Sequence, residues 1–220
     1  MLLIFDLDGT LIDSRSCITK ATQEAFKFKG FTVPDENLIV AAMGIPIEVT
    51  FPRWSGQEDC SDLMAKYRSL YGELAATELQ VFPGIPEALA TLAKDHTLAI
   101  ATSKKHSVAE SSLEVCGLRH LFSYVVGSDD VQNYKPHPET IYKVLSEFSG
   151  KPVDDKKRHY VEAWMIGDAT TDLDMGDAAE IPTCFVTWGA HSLSDLGDRH
   201  PPASVIHESA DLLRLFGSHQ

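Results

Sequence analysis

Four consecutive apolar residues, Leu2-Leu3-Ile4-Phe5, open the chain and give way to Asp6-Leu7-Asp8-Gly9. A continuous apolar run of this length predicts a strand buried on both faces. The period then changes. Ile18, Ala21, Ala25 and Phe28 recur at helical spacing and stop before Gly30. Pro34-Asp35 reads as a helix start, and Met43-Gly44-Ile45-Pro46 breaks that helix. Phe51 to Gly56 is expected to be a loop. A long helix from about Asp59 carries Leu63, Tyr67, Leu70 and Leu74 on one face. No strand pattern lies between residues 16 and 79, so this stretch predicts a helical insert, comparable in size to a small domain.

From Val81-Phe82-Pro83-Gly84 onward, helix and strand patterns alternate. Strands are expected at Leu98–Thr102, within Leu121–Gly127, at His159–Ile166, at Thr183–Thr187 and near Val205. Helices are expected around Ala88–Leu92, over Ala109–Cys116, from Pro138 to Phe148, over Thr171–Ala179, and from Ser209 to Phe216. The charged segment Lys151 to Arg158 reads as a solvated loop. Alternation of this kind predicts an α/β fold, a Rossmann-like parallel sheet with helices on both faces. The implied division is a core of residues 1–15 and 80–220, with a helical cap of residues 16–79.

Composition narrows the function. The 220 residues carry 19 basic and 32 acidic side chains, for a net charge of −13, which argues against a nucleic-acid partner. An acidic protein that binds an anion needs local positive charge or a metal. No apolar run is long enough to span a membrane, and no secretory leader pattern is present, so a cytoplasmic protein is expected. Cys17, Cys60, Cys116 and Cys184 are too scattered for a zinc site or a disulfide framework. Cys116 and Cys184 read as small core residues.

Ligands of open parallel sheets bind beyond the carboxyl ends of the strands. Asp6 and Asp8 stand at the first such end and, two apart, project to the same side. Thr102-Ser103 stand at the second, Lys135 follows the third, and Asp168 with Asp172 follows the fourth. Each has a plainer explanation alone: Thr102 and Asp168 as helix caps, Lys135 and Asp172 as surface residues. Together, acids, a hydroxyl and a lysine suit a phosphate monoester and a divalent cation such as Mg²⁺, which prefers oxygen ligands.

The chain resembles the haloacid dehalogenase superfamily, in the branch whose helical cap follows the first motif. Asp6-Leu7-Asp8-Gly9-Thr10, Thr102, Lys135 and Gly167-Asp168-x-x-x-Asp172 match its four motifs. The resemblance implies that Asp6 is the nucleophile and Asp8 the general acid and base. Thr102, Ser103 and Lys135 are implied to bind phosphoryl oxygens. Mg²⁺ is implied to sit on the Asp6 carboxylate, the Asp8 carbonyl and Asp168, with Asp172 orienting its waters. Asp8 points to phosphoryl transfer rather than dehalogenation, in a phosphoglycolate phosphatase-like enzyme acting on a small phosphorylated metabolite, as a monomer or homodimer. Ser103 and Asn133-Tyr134 depart from that branch, which commonly has Asn and Gly there. An inorganic pyrophosphatase, a β-phosphoglucomutase-like transferase and a non-catalytic binding protein are the rivals. Residues 16–29 lack the His that marks the mutase, and the complete motif set argues against the binding protein. Substrate choice is expected in the cap, with Gly44-Ile45-Pro46, Arg53 and Lys20 as candidates. Leu11–Ser16 and Leu79–Pro83 are the expected hinges.

Overall fold

The computed structural model describes residues 1–150 and 162–217. The expected loop at 151–158 and the first residues of the strand expected from His159 lie outside the described residues. Six strands form one parallel sheet: β1 (Leu2–Phe5), β4 (Thr97–Ala101), β5 (Tyr124–Val126), β6 (Ala163–Gly167), β7 (Thr183–Val186) and β8 (Ser204–Ile206). Their order is β5-β4-β1-β6-β7-β8, so β1 lies between β4 and β6. Leu3 pairs in register with Leu98 on one side and Trp164 on the other.

Both faces of β1 are covered, which explains its unbroken apolar run. Leu3 and Phe5 pack with α5 (Ile85–Leu92), α6 (His106–Val115) and α9 (Ala210–Phe216). Leu2 and Ile4 pack on the opposite face with α7 (Glu139–Ser149) and α8 (Thr170–Ala178). The α/β Rossmann-like reading therefore holds.

Between β1 and α5 the chain forms α1 (Arg15–Phe28), α2 (Glu36–Ala41), α3 (Ile47–Ser55) and α4 (Ser61–Glu78). Asp35 caps α2 by accepting a hydrogen bond from the Asn37 N–H. These helices share a separate apolar cluster built on Phe26, Phe51, Leu63, Tyr67 and Tyr71. Phe51 stands edge-on to Phe26 at 5.2 Å and to Tyr67 at 5.3 Å.

Three elements differ from the sequence reading. Phe51 to Ser55 is helical, not a loop: packing of Phe51 and Trp54 outweighs the N–H lost at Pro52, and Gly56, at φ 70°, ends the helix. Phe28 is exposed with Lys66 over its ring, because Phe26 and Ala25 carry the buried face of α1. The two connections to the helices also pair with each other. β2 (Ile12–Asp13) lies antiparallel to β3 (Gln80–Val81), with Ile12 opposite Val81.

Candidate active site

The site grows from the end of β1. The Asp6 N–H still reaches the Ile166 carbonyl of β6, at 2.9 Å, so the sheet fixes where its side chain starts. The chain then folds back at once. Leu11 and Ile12 both donate to the Leu7 carbonyl, and Gly9 donates to that of Ile12. Gly9 adopts φ 82°, and a Cβ there would lie 2.3 Å from Asp168 Oδ2. Only glycine fits both the backbone angle and the approach.

Asp168 follows β6. It accepts from the Thr10 hydroxyl at 2.9 Å and the Ala190 N–H at 2.7 Å. It does not cap α8. That task falls to Asp172, whose Oδ2 accepts from the Ala169 N–H at 3.0 Å, and Asp172 is buried rather than on the surface. Its Oδ1 lies 2.7 Å from Lys135 Nζ, which lies 2.7 Å from Asp6 Oδ1 as well. Lys135 is likewise buried, and the peptide bond after it is cis.

Asp6, Asp168 and Asp172 offer carboxylate oxygens within 4.8 Å of one another. Burial pushes the Asp6 carboxyl up to about 7, opposed by Lys135 and assisted by Asp172. Burial, then Asp172 and Asp6, hold the Asp168 carboxyl well above the usual range. Burial works against the Lys135 charge, but Asp172 and Asp6 outweigh it and raise its pKa. Three acids facing one ammonium leave an excess of negative charge in a dry site. Hard oxygen donors with surplus negative charge fit a divalent cation.

Thr102, at the end of β4, is buried, and its hydroxyl accepts from the Lys104 N–H at 3.3 Å. Ser103 donates to the Gly44 carbonyl at 2.6 Å, tying the strand end to the α2–α3 turn. Asp8 lies against Lys104 Nζ, 2.6 Å from Oδ1 and 2.5 Å from Oδ2. Burial opposes the Lys104 charge, yet Asp8 and the nearby Tyr71 and Tyr67 raise its pKa above the ordinary lysine value.

A cavity of about 110 Å³ opens over these residues. Asp6, Asp8 and Thr102 line it from the strand ends, Met43 from the α2–α3 turn, and Phe51 and Trp54 from α3. Gly44, Ile45 and Pro46 line it as expected. Arg53 and Lys20 do not: Arg53 is exposed, and Lys20 pairs with Glu78 at 2.6 Å. The cavity's cations are Arg68, Lys104 and Lys105, which the sequence reading passed over as substrate contacts. Arg68 and Lys105 carry no motif signal; Lys104 had only its place directly after Thr102-Ser103.

The model of the family described as haloacid dehalogenase-like hydrolase matches residues 3–186. This chain belongs to that family. It is 34% identical to "Probable phosphatase IndB" of Dickeya dadantii, over 99% of this chain and 96% of that one. It is 30% identical to a phosphoglycolate phosphatase of Yersinia pseudotuberculosis, over 97% of this chain and 91% of the relative. Among solved structures it superposes on a haloacid dehalogenase-like hydrolase of Streptococcus pneumoniae with a TM-score of 0.81 at 29% identity, covering 98% and 97% of the two chains.

Proposed function

We propose that this haloacid dehalogenase-like hydrolase is a Mg²⁺-dependent phosphatase, cleaving a small phosphate monoester through an aspartyl-phosphate on Asp6. The observation that carries the reading is the buried Asp6–Lys135–Asp172 bridge beside Asp168, with Asp6 opening onto the cavity. The names of the two relatives support the same chemistry.

In the first half, an Asp6 carboxylate oxygen attacks phosphorus. The ester P–O bond breaks, and the departing alkoxide takes a proton from Asp8. In the second half, Asp8, now a carboxylate, takes a proton from water as the water oxygen attacks phosphorus. The Asp6–phosphorus bond breaks and inorganic phosphate leaves. Thr102 and Lys135 hold phosphoryl oxygens, and Lys135 keeps the Asp6 oxygen aimed. Ser103 lies next to this set, but its hydroxyl is given to Gly44.

The Asp6 and Asp168 carboxylates, with the Asp8 carbonyl, would hold the metal. Asp172, which holds Lys135 through Oδ1 and accepts from the Ala169 N–H through Oδ2, would orient its waters. Bound there, Mg²⁺ supplies positive charge for a dianionic substrate and its transition state. Residues 16–79 act as the cap, closing over the strand ends to exclude water.

The test is phosphate release from a panel of monoesters and pyrophosphate, with Mg²⁺ and again with EDTA. Metal-dependent release from monoesters is the expected result. Preference for pyrophosphate would replace monoester hydrolysis with pyrophosphate hydrolysis, and release that survives EDTA would remove the metal from the mechanism.

A further inference from the structure

Lys104 is a buried cation that the mechanism above does not use. Its side chain is 9% exposed, its ammonium holds both oxygens of Asp8, and the Tyr71 ring lies 4.4 Å away. We infer that Lys104 determines specificity: it takes an anionic group on the leaving alcohol, a carboxylate or a second phosphate, in exchange for Asp8. This rests on the phosphatase reading and adds the substrate class to it.

Asp8 must serve the leaving oxygen. In this structure both its oxygens are committed to one ammonium. Reaching the substrate means giving up that ion pair at least in part. Among the described residues, Asp8 is the one carboxylate within ion-pair distance of Lys104. An ammonium left in a dry pocket without a counter-charge is costly, and an aromatic face replaces only part of the loss. A neutral alcohol offers Lys104 no counter-charge and leaves Asp8 held. An alcohol bearing an anion replaces Asp8 on Lys104 and frees it for the ester oxygen.

The same wall carries two more cations. Arg68 lies 2.8 Å and Lys105 3.9 Å from Glu48, so both share one carboxylate. With Lys104, three cations line the cavity, and its acids are Asp6, Asp8 and Glu48. In a chain of net charge −13, a cavity whose cations match its acids is a more favourable place for an incoming anion than the acidic surface around it.

Three two-carbon esters separate the possibilities: phosphoglycolate, ethylene glycol bisphosphate and 2-hydroxyethyl phosphate. They share the scissile bond and differ in carrying a carboxylate, a phosphate or no charge at the far end. Wild-type kcat/KM with Mg²⁺ is expected to favour at least one anionic ester over 2-hydroxyethyl phosphate by about tenfold or more. Which ester is favoured tells carboxylate from phosphate. Lys104→Met and Lys104→Gln, each checked by its melting temperature, are expected to erase the ratio whatever their absolute rates. A lysine that only supports the fold would lower all three rates together. Equal wild-type turnover of the three esters overturns the inference and leaves the phosphatase reading standing, as does a ratio that persists in a folded Lys104 variant. Release from none of them, nor from p-nitrophenyl phosphate, overturns the phosphatase reading and takes this inference with it.

Discussion

Lys135 places one ammonium 2.7 Å from Asp6 and 2.7 Å from Asp172, and all three side chains are buried. Removing one partner of such a bridge leaves uncompensated charge in a dry site. Lys135→Met is therefore expected to destabilise the metal-free protein by about 3–5 kcal/mol. In a chain of this size each kcal/mol lowers the melting temperature by roughly 2–4 °C. Added Mg²⁺ should restore part of the loss by replacing the missing charge. Thermal melts with and without Mg²⁺ check this, and a variant that melts with wild type in EDTA contradicts the bridge.

Asp6→Asn is expected to lower phosphate release by about 10⁴-fold or more, as loss of an attacking group does elsewhere. The fold should survive, because the amide oxygen can still accept from Lys135 and one of the crowded negative charges is gone. In EDTA the variant is expected to melt no lower than wild type. Activity retained in a clean preparation of this variant would reassign the nucleophile.

The Ser103–Gly44 hydrogen bond, 2.6 Å long, is one of several contacts that fasten the helices to the sheet, beside Lys105–Glu48 and the Lys104–Tyr71 ring contact. Ser103→Ala is expected to cost about 1 kcal/mol. Its kinetic mark should be a raised KM with a smaller change in kcat, and faster amide exchange around residues 42–46. Gly44→Ala should be the harsher change. Gly44 sits at φ 90°, and a Cβ there would lie 3.2 Å from Thr171 Oγ1 and 3.3 Å from the Ala169 Cβ. Equal KM values for Ser103→Ala and wild type would show that this contact does not govern substrate entry.

Phe51 joins α1, α3 and α4 through its edge contacts with Phe26 and Tyr67. Phe51→Ala is expected to cost about 3–5 kcal/mol. The loss should appear first as proteolytic nicking within residues 30–60, since the sheet's own clusters do not contain this ring. Cleavage spread evenly over the chain would show that helices and sheet melt as one.

The sheet was legible because β1 is apolar without interruption, and alternating helices told which faces were covered. Asp6 and Asp168 were legible because they directly follow β1 and β6, where backbone geometry fixes direction; Asp172 lies in the first turn of α8 and Lys135 well beyond β5, so their meeting at Asp6 shows only in the fold. The helices were harder. Pro52 suggests a loop by local chemistry, and only the distant Phe26 and Tyr67 show why the helix continues through it. Phe28 has the right spacing for burial but sits at the end of α1, beyond the cluster that Phe26 joins. The Lys104–Asp8 pair spans 96 positions of sequence. An ordinary lysine in the sequence becomes a buried one only when β4 comes to lie beside β1.

The short β2–β3 pairing has a consequence for how this architecture could be rearranged. Ile12 and Val81 face each other across a ladder, so the chain leaves the sheet and returns to it through one narrow doorway. Opposed residues in such a ladder sit about 4.5–5.5 Å apart. A tight turn spans that gap as readily as the helices do. A protein in which everything between was replaced as a cassette would keep the order of the parallel strands. The phosphoryl chemistry and Lys104 would stay with the sheet, and a new cassette would reshape the rest of the pocket around the alcohol.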